Sequence, residues 1–290
     1  MTTSHYFCNL INWRGRKRFC WSKTLFPCLT NYFYRGAYMA GQCLSINITT
    51  FPLQQVDYVV AAYHVTWDSV VLLTGRDYHE QPATLVVDRA GKTLLIRRPL
   101  TMVLRQFFTE NCISEADNRV CYRMLGMPRV TRAAVAGKYQ LVPTCGTANE
   151  EVVWVMTHHL VHAEIADRKN NNLCLQFTSA HNHAPLLVTV QWCAKSFLNN
   201  MQAADQVAHL QLELADFRQY CHGLAGSKVE FSDFQRRRRL QHQLVEYNQL
   251  LCIHQHELVM KRAFEQKTLT PAERAAISQL GFKPFTPYTG

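Results

Sequence analysis

From about residue 45 to 192 the apolar positions fall in short runs separated by turn residues, the pattern of strands rather than helices. Thr84–Asp88 and Lys92–Arg97 flank Arg89-Ala90-Gly91, a hairpin connection. Val130–Ala136 and Lys138–Val142 flank Gly137 in a weaker version of the same signal. Glu151–Ile165 is a long run rich in β-branched residues. After it come the polar turn Asp167–Asn172 and then Leu173, Leu175 and Phe177 at period two, with a last run at Leu186–Trp192. Repeated turns between short runs predict an antiparallel sheet or partial barrel.

Beyond about residue 195 the period changes. Met201, Val207, Leu210, Leu214, Phe217 and Cys221 follow a three-and-four spacing, one apolar stripe on a helix that Gly223 and Gly226 break. A second helix is expected from near Ser232, with Gln235 as capping-box partner and Leu240, Leu244, Tyr247, Leu251 and Leu258 as its stripe. Thr270-Pro271-Ala272-Glu273 starts a third, with Gly281 as its stop. The expected fold class is therefore α+β: an antiparallel β-rich body, sheet or partial barrel, followed by a helical C-terminal region. The expected divisions are 1–38, 39–195 and 196–290. The helical stripes are read as packing on each other within the chain, with pairing across subunits left open.

Composition narrows this picture in three ways. Hydrophobic residues at 48% and charged residues at 18% of the 290 exclude wholesale disorder. No stretch approaches the roughly 20 apolar residues of a membrane span, and the N-terminus lacks the plan of a secretory signal, so the reading is a soluble, cytoplasmic protein without membrane partners. The 11 cysteines form no Cys-x-x-Cys pair, which favours reduced thiols over a zinc site or a disulfide framework.

The net charge of +10 is unevenly placed. Residues 1–38 crowd aromatics among six basic side chains with no Asp or Glu. They read as a basic nucleic-acid arm or, preferred on composition, as sequence upstream of a true start at Met39. Within 118–149 stand Arg119, Arg123, Arg129, Arg132 and Lys138, again without an acid. Concentrated cations suit phosphates, because several contacts must release counterions together to bind usefully. Arginine also suits a narrow A/T minor groove. The bland reading is a solvated loop whose arginines pair with acids elsewhere. Arg105, Arg97 and Arg98 are lesser candidates. Arg236–Arg239 wrap a whole helical turn and are read as a solvated face.

The order of features from about 84 to 205 resembles the ComK family of competence transcription factors. The carrying residues are Arg98-Pro99-Leu100 at a strand end with Met102, Val103 and Arg105, then a loop with basic residues, then Pro128 before a strand pair. Tyr139-Gln140-Leu141-Val142-Pro143-Thr144, Val153-Trp154-Val155 leading to His158-His159, the hairpin through Asn170–Asn172 into Leu175-Gln176-Phe177, and Ser196-Phe197-Leu198-Asn199-Asn200 complete the series. The resemblance covers about two-fifths of the chain. It implies an activator of DNA-uptake genes that binds A/T-rich double-stranded boxes through the minor groove, acts as a homo-oligomer, and is removed by a Clp protease through an adaptor. It implies no enzyme activity and no cofactor. The 1–38 segment and the tail beyond about 210 depart from the family pattern.

Two enzyme readings are weaker. His158, His159 and His162, with His181 and His183, resemble a metal site, but no His-Glu-x-x-His pattern or carboxylate pair supports one. Cys145 in Pro-Thr-Cys-Gly could be a nucleophile on a turn, yet nothing orients a base for it. The remaining alternative is a helical adaptor, expected to lose its partner when Leu244 and Leu251 become charged.

Overall fold

A strand buried on both faces needs no polar alternation, and Val70–Leu73, all buried, mark the place where this chain builds one. The computed structural model describes residues 44–149, 151–178, 185–191, 193–223, 233–264 and 269–280, with 261–264 and 278–280 described as backbone only. The 1–38 extension, the alternative start at Met39, His181, His183, Ser232 and Gly281 lie outside the described residues. Residues 42–290 form one compact unit.

Strands β1 (Leu44–Asn47), β2 (Tyr58–Val60), β3 (Val70–Tyr78), β4 (Gln81–Asp88) and β5 (Thr93–Ile96) come first. Helices α1 (Leu100–Glu110) and α2 (Glu115–Met124) follow, then β6 (Ala134–Ala136), β7 (Tyr139–Pro143), β8 (Val153–Met156), β9 (Leu160–Asp167), β10 (Asn172–Phe177) and β11 (Leu186–Val190). Helices α3 (Ala194–Cys221), α4 (Phe234–Phe264) and α5 (Pro271–Leu280) close the chain. The fold is α+β with a β-rich body, as the periodicity predicts.

The strands make two sheets. One has seven strands in the order β2-β5-β4-β3-β8-β7-β6, antiparallel except for β2 beside β5. The other has four, β1-β11-β10-β9, with β1 parallel to β11. Alternate residues of the large sheet feed two cores. Val86, Leu94, Ile96, Leu141, Trp154 and Met156 meet Val103, Leu104 and Phe107 of α1 together with Trp67. Leu85, Val87, Leu95, Val142, Val153 and Val155 meet the inner face of the small sheet, α2 and α3. The period-two residues Leu173, Leu175 and Phe177 are fully buried in that second core.

Three expectations change. The run Glu151–Ile165 is not one strand: β8 belongs to the large sheet, a single 3-10 turn at Thr157–His159 carries the chain across, and β9 joins the small one. The strand ending in Arg98-Pro99-Leu100 stops at Ile96, and Leu100 opens α1. The basic loop expected after Arg105 is the helix α2, so the 45–192 stretch is not strands throughout. The hairpins about Gly91 and Gly137 are present, and both glycines hold positive φ (78° and 58°) that other residues adopt at a cost.

The C-terminal helices pack inward. Val207, Leu210, Leu214 and Phe217 of α3 are buried, as are Leu240 and Tyr247 of α4, while Leu244 and Leu251 lie half-buried against the same core. Leu258 is exposed, but the rest of the near-heptad stripe faces the chain's own body, as the preferred reading has it for most of the stripe. Thr270 and Glu273 form the reciprocal capping box, with the Thr270 amide donating to Glu273 Oε2 at 2.7 Å and the Glu273 amide to Thr270 Oγ1 at 3.3 Å. No helix among the described residues is long and apolar enough to cross a membrane.

Candidate nucleic-acid interface

The basic window is built on α2. Ser114 caps the helix by accepting from the Asp117 amide at 3.1 Å, and Glu115 and Asp117 complement the dipole in the first turn. The Ser114-Glu115-Ala116-Asp117 signature could have revealed this helix in the sequence. Its inner face buries Asn118, Val120, Cys121 and Tyr122. The Asn118 amide accepts from Val135 N–H at 3.0 Å and donates to Val135 C=O at 3.1 Å, serving the outer edge of β6 as a neighbouring strand would. The Tyr122 hydroxyl accepts from the Ala133 amide at 3.0 Å. These bonds tie the far end of the 125–133 connection back to the helix, so its cations are carried on a fixed frame.

Arg119 and Arg123 stand on α2, Arg129 and Arg132 in the connection after it and Lys138 in the turn between β6 and β7, and these cations differ. Arg119 is engaged by Glu115, with Nη2 at 2.6 Å and Nε at 2.9 Å from one carboxylate oxygen. Glu115 lies just upstream of the acid-free window, so the window's charge overstates what is free. Arg123, Arg129, Arg132 and Lys138 are exposed, and among the described residues none of them has a carboxylate partner. Lys138, in the turn after Gly137, holds its ammonium 4.9 Å from the Tyr139 ring centroid, a cation–π contact.

Neighbouring groups place two of the arginines beside α4. Burial holds the His254 imidazole below its ordinary range, and Arg119 and Arg132 both push in the same direction against Glu257 and Glu115. Arg105 is not brought into this set. It lies exposed on α1, which packs on the opposite face of the seven-stranded sheet from α2. Arg97 and Arg98 are exposed at the end of β5 before α1.

The Arg236–Arg239 run is more engaged than a solvated face. Glu213 of α3 receives Arg236 at 3.4 Å and Arg239 at 3.7 Å, and Arg237 donates to the Tyr220 hydroxyl at 3.3 Å. Glu213 thereby offsets the dipole cost of cations in the first turn of α4 and clamps that helix to α3. Asp233 accepts from the Gln235 amide at 2.9 Å.

The enzyme candidates also take definite places. His158 and His159 both stand on the 3-10 turn and donate through Nε2 to the Trp67 carbonyl, at 2.8 Å and 2.6 Å. Burial pushes His158 down to about 4 and lowers His159 as well, so both rings are neutral. His162 is exposed on β9 beside Glu164, apart from that pair. Among the described residues no three ligand-type side chains converge. Cys145 lines a cavity of about 80 Å³ with Arg76, Thr144, Glu151 and Cys193. Burial pushes the Cys145 thiol up and drives Cys193 up to about 12, which keeps both protonated.

No family model, curated protein or solved structure matches this chain.

Proposed function

We propose that this chain is a DNA-binding transcriptional activator of the ComK competence type, a cytoplasmic regulator that grips A/T-rich duplex. The observation that carries the reading is the trio Arg123, Arg129 and Arg132, exposed along one short stretch and free of carboxylates among the described residues. Each can release counterions from a phosphate without first breaking an internal ion pair. Lys138 extends the set at the next turn, and Arg119 contributes after exchanging Glu115 for phosphate. Arg105 belongs to a separate face and is left a peripheral role. The resemblance adds the A/T preference, minor-groove contact, homo-oligomer and Clp-adaptor control to this proposal.

The test is a titration of the full chain against an A-tract/T-tract duplex and a G·C-rich duplex at two salt concentrations. Preferential A/T binding that weakens with salt supports the reading. Equal, weak binding to both duplexes contradicts it.

The adaptor alternative has one observation in its favour, the groove between α3 and α4 where Phe234 is exposed beside Tyr220, Arg237 and Arg238. Leu244 and Leu251 no longer test it, because charging them would disrupt the chain's own core. Phe234→Asp is the informative substitution: it should abolish a partner complex in the adaptor reading and leave DNA binding intact in the activator reading.

A further inference from the structure

We propose that β9 is a self-pairing edge through which two copies of this chain join their four-stranded sheets about a two-fold axis at Ala163. An edge strand presents unpaired N–H and C=O groups, and proteins ordinarily blunt such edges by shortening or covering them. Among the described residues three of the four sheet edges are short. β2 and β6 have three residues each and β1 has four. The β6 edge is also covered by the Asn118 amide. β9 runs for eight residues, no strand lies beyond it among the described residues, and it exposes apolar side chains, Val161 at 57% and Ile165 at 40%.

The register follows from the strand's own sequence. Antiparallel self-pairing about a two-fold axis sets residues i and j opposite each other at a constant sum, and only an even sum keeps facing side chains on one face. Centring on His162 sets His162 against itself, and centring on Glu164 opposes two carboxylates, which is destabilising. Centring on Ala163 removes both conflicts. The small Ala163 then faces itself, and His162 faces Glu164 of the second copy in both directions. Within each chain His162 Nε2 already stands 3.4 Å from Glu164 Oε2, so the two side chains share one face of the strand and are of types that pair. Bulges at Val161 and Ala166 bound the regular stretch, so the pairing is short and the association depends on concentration.

This inference does not rest on the DNA reading, and its test contains no DNA, so either can fail alone. Sedimentation of the full chain over a range of concentrations reads the monomer–dimer equilibrium. The expected result is a reversible dimer, weakened at least tenfold by His162→Glu, which sets two carboxylates face to face. The reciprocal double variant His162→Glu/Glu164→His should restore it, since the pairs are re-formed with their partners exchanged. Ala163→Cys should give a covalent dimer under mild oxidant beyond any seen with the unaltered chain, because facing residues stand at disulfide distance. All three positions are on a sheet edge, and circular dichroism checks that each variant folds. A monomer at every concentration overturns the proposal. So does a dimer indifferent to His162→Glu, or an Ala163→Cys chain that cross-links no more than the unaltered one.

Discussion

Tyr247 on α4 donates its hydroxyl to Asp117 on α2 at 2.8 Å, a bond between residues 130 positions apart that locks the helical tail to the basic helix. The tyrosine ring is buried, Arg218 lies over it at 5.0 Å, and burial together with Asp117 pushes its hydroxyl pKa up. The frame that presents Arg123 and its neighbours therefore depends on a residue far outside the basic window.

Tyr247→Phe removes this bond and little else. A hydrogen bond to a charged acceptor contributes about 1.5–3 kcal/mol, and the expected loss of stability in denaturant titration lies in that range. A folded Tyr247→Phe chain retains the unpaired arginines, so its affinity for A/T-rich duplex should change by less than about twofold. A larger loss of affinity in a fully folded variant would mean that Tyr247 acts in binding itself.

Acid should destabilise the protein through His158. Its Nε2–H is committed to the Trp67 carbonyl, and its Nδ1 is buried without a partner among the described residues, so protonation would place a second N–H where none of them accepts it. The folded pKa is about 4 against an ordinary 6.5. Between those values the unfolded chain binds a proton that the folded chain refuses, so stability falls as pH drops through the window. His159, also lowered, acts in the same direction. Thermal melts from pH 7 to pH 4.5 should show the decline, and His158→Gln should flatten it.

Thr270→Ala should loosen α5 alone. It removes the hydroxyl that accepts from the Glu273 amide and leaves the Glu273 carboxylate one partner fewer. The expected cost is about 1 kcal/mol, read as faster hydrogen exchange in 271–277 with the sheets unaffected.

Arg119 should matter less to DNA binding than its neighbours. Its guanidinium is already spent on Glu115, an exposed pair contributing only about 0.3–0.5 kcal/mol to the helix. Arg119→Ala should weaken duplex binding less than Arg123→Ala or Arg132→Ala at the same salt, measured by anisotropy. Equal losses would show that phosphate displaces Glu115 without cost.

What the sequence makes legible is what short-range chemistry decides. Gly91, Gly137 and the Thr270 box are local signals, and the alternation of Leu173, Leu175 and Phe177 reports a half-buried strand directly. The run Glu151–Ile165 misleads because β-branched residues suit both β8 and β9, and only packing decides that the chain changes sheets at His158. α1 and α2 are hidden by the apolar context around them, although Ser114 and Asp117 mark the start of α2. The candidate site is legible as a concentration of arginines. Which of them are engaged depends on Glu115, just outside the window, and for the second basic run on Glu213, more than twenty positions away.

The most direct measurement is the salt dependence of A/T-duplex affinity for the full chain and for the Arg123→Ala/Arg129→Ala/Arg132→Ala variant. Each phosphate contact adds about 0.9 to the slope of log affinity against log salt, so three lost contacts should flatten it by roughly 2.7. A variant that folds and binds with an unchanged slope would contradict the claim that these three arginines meet the DNA backbone.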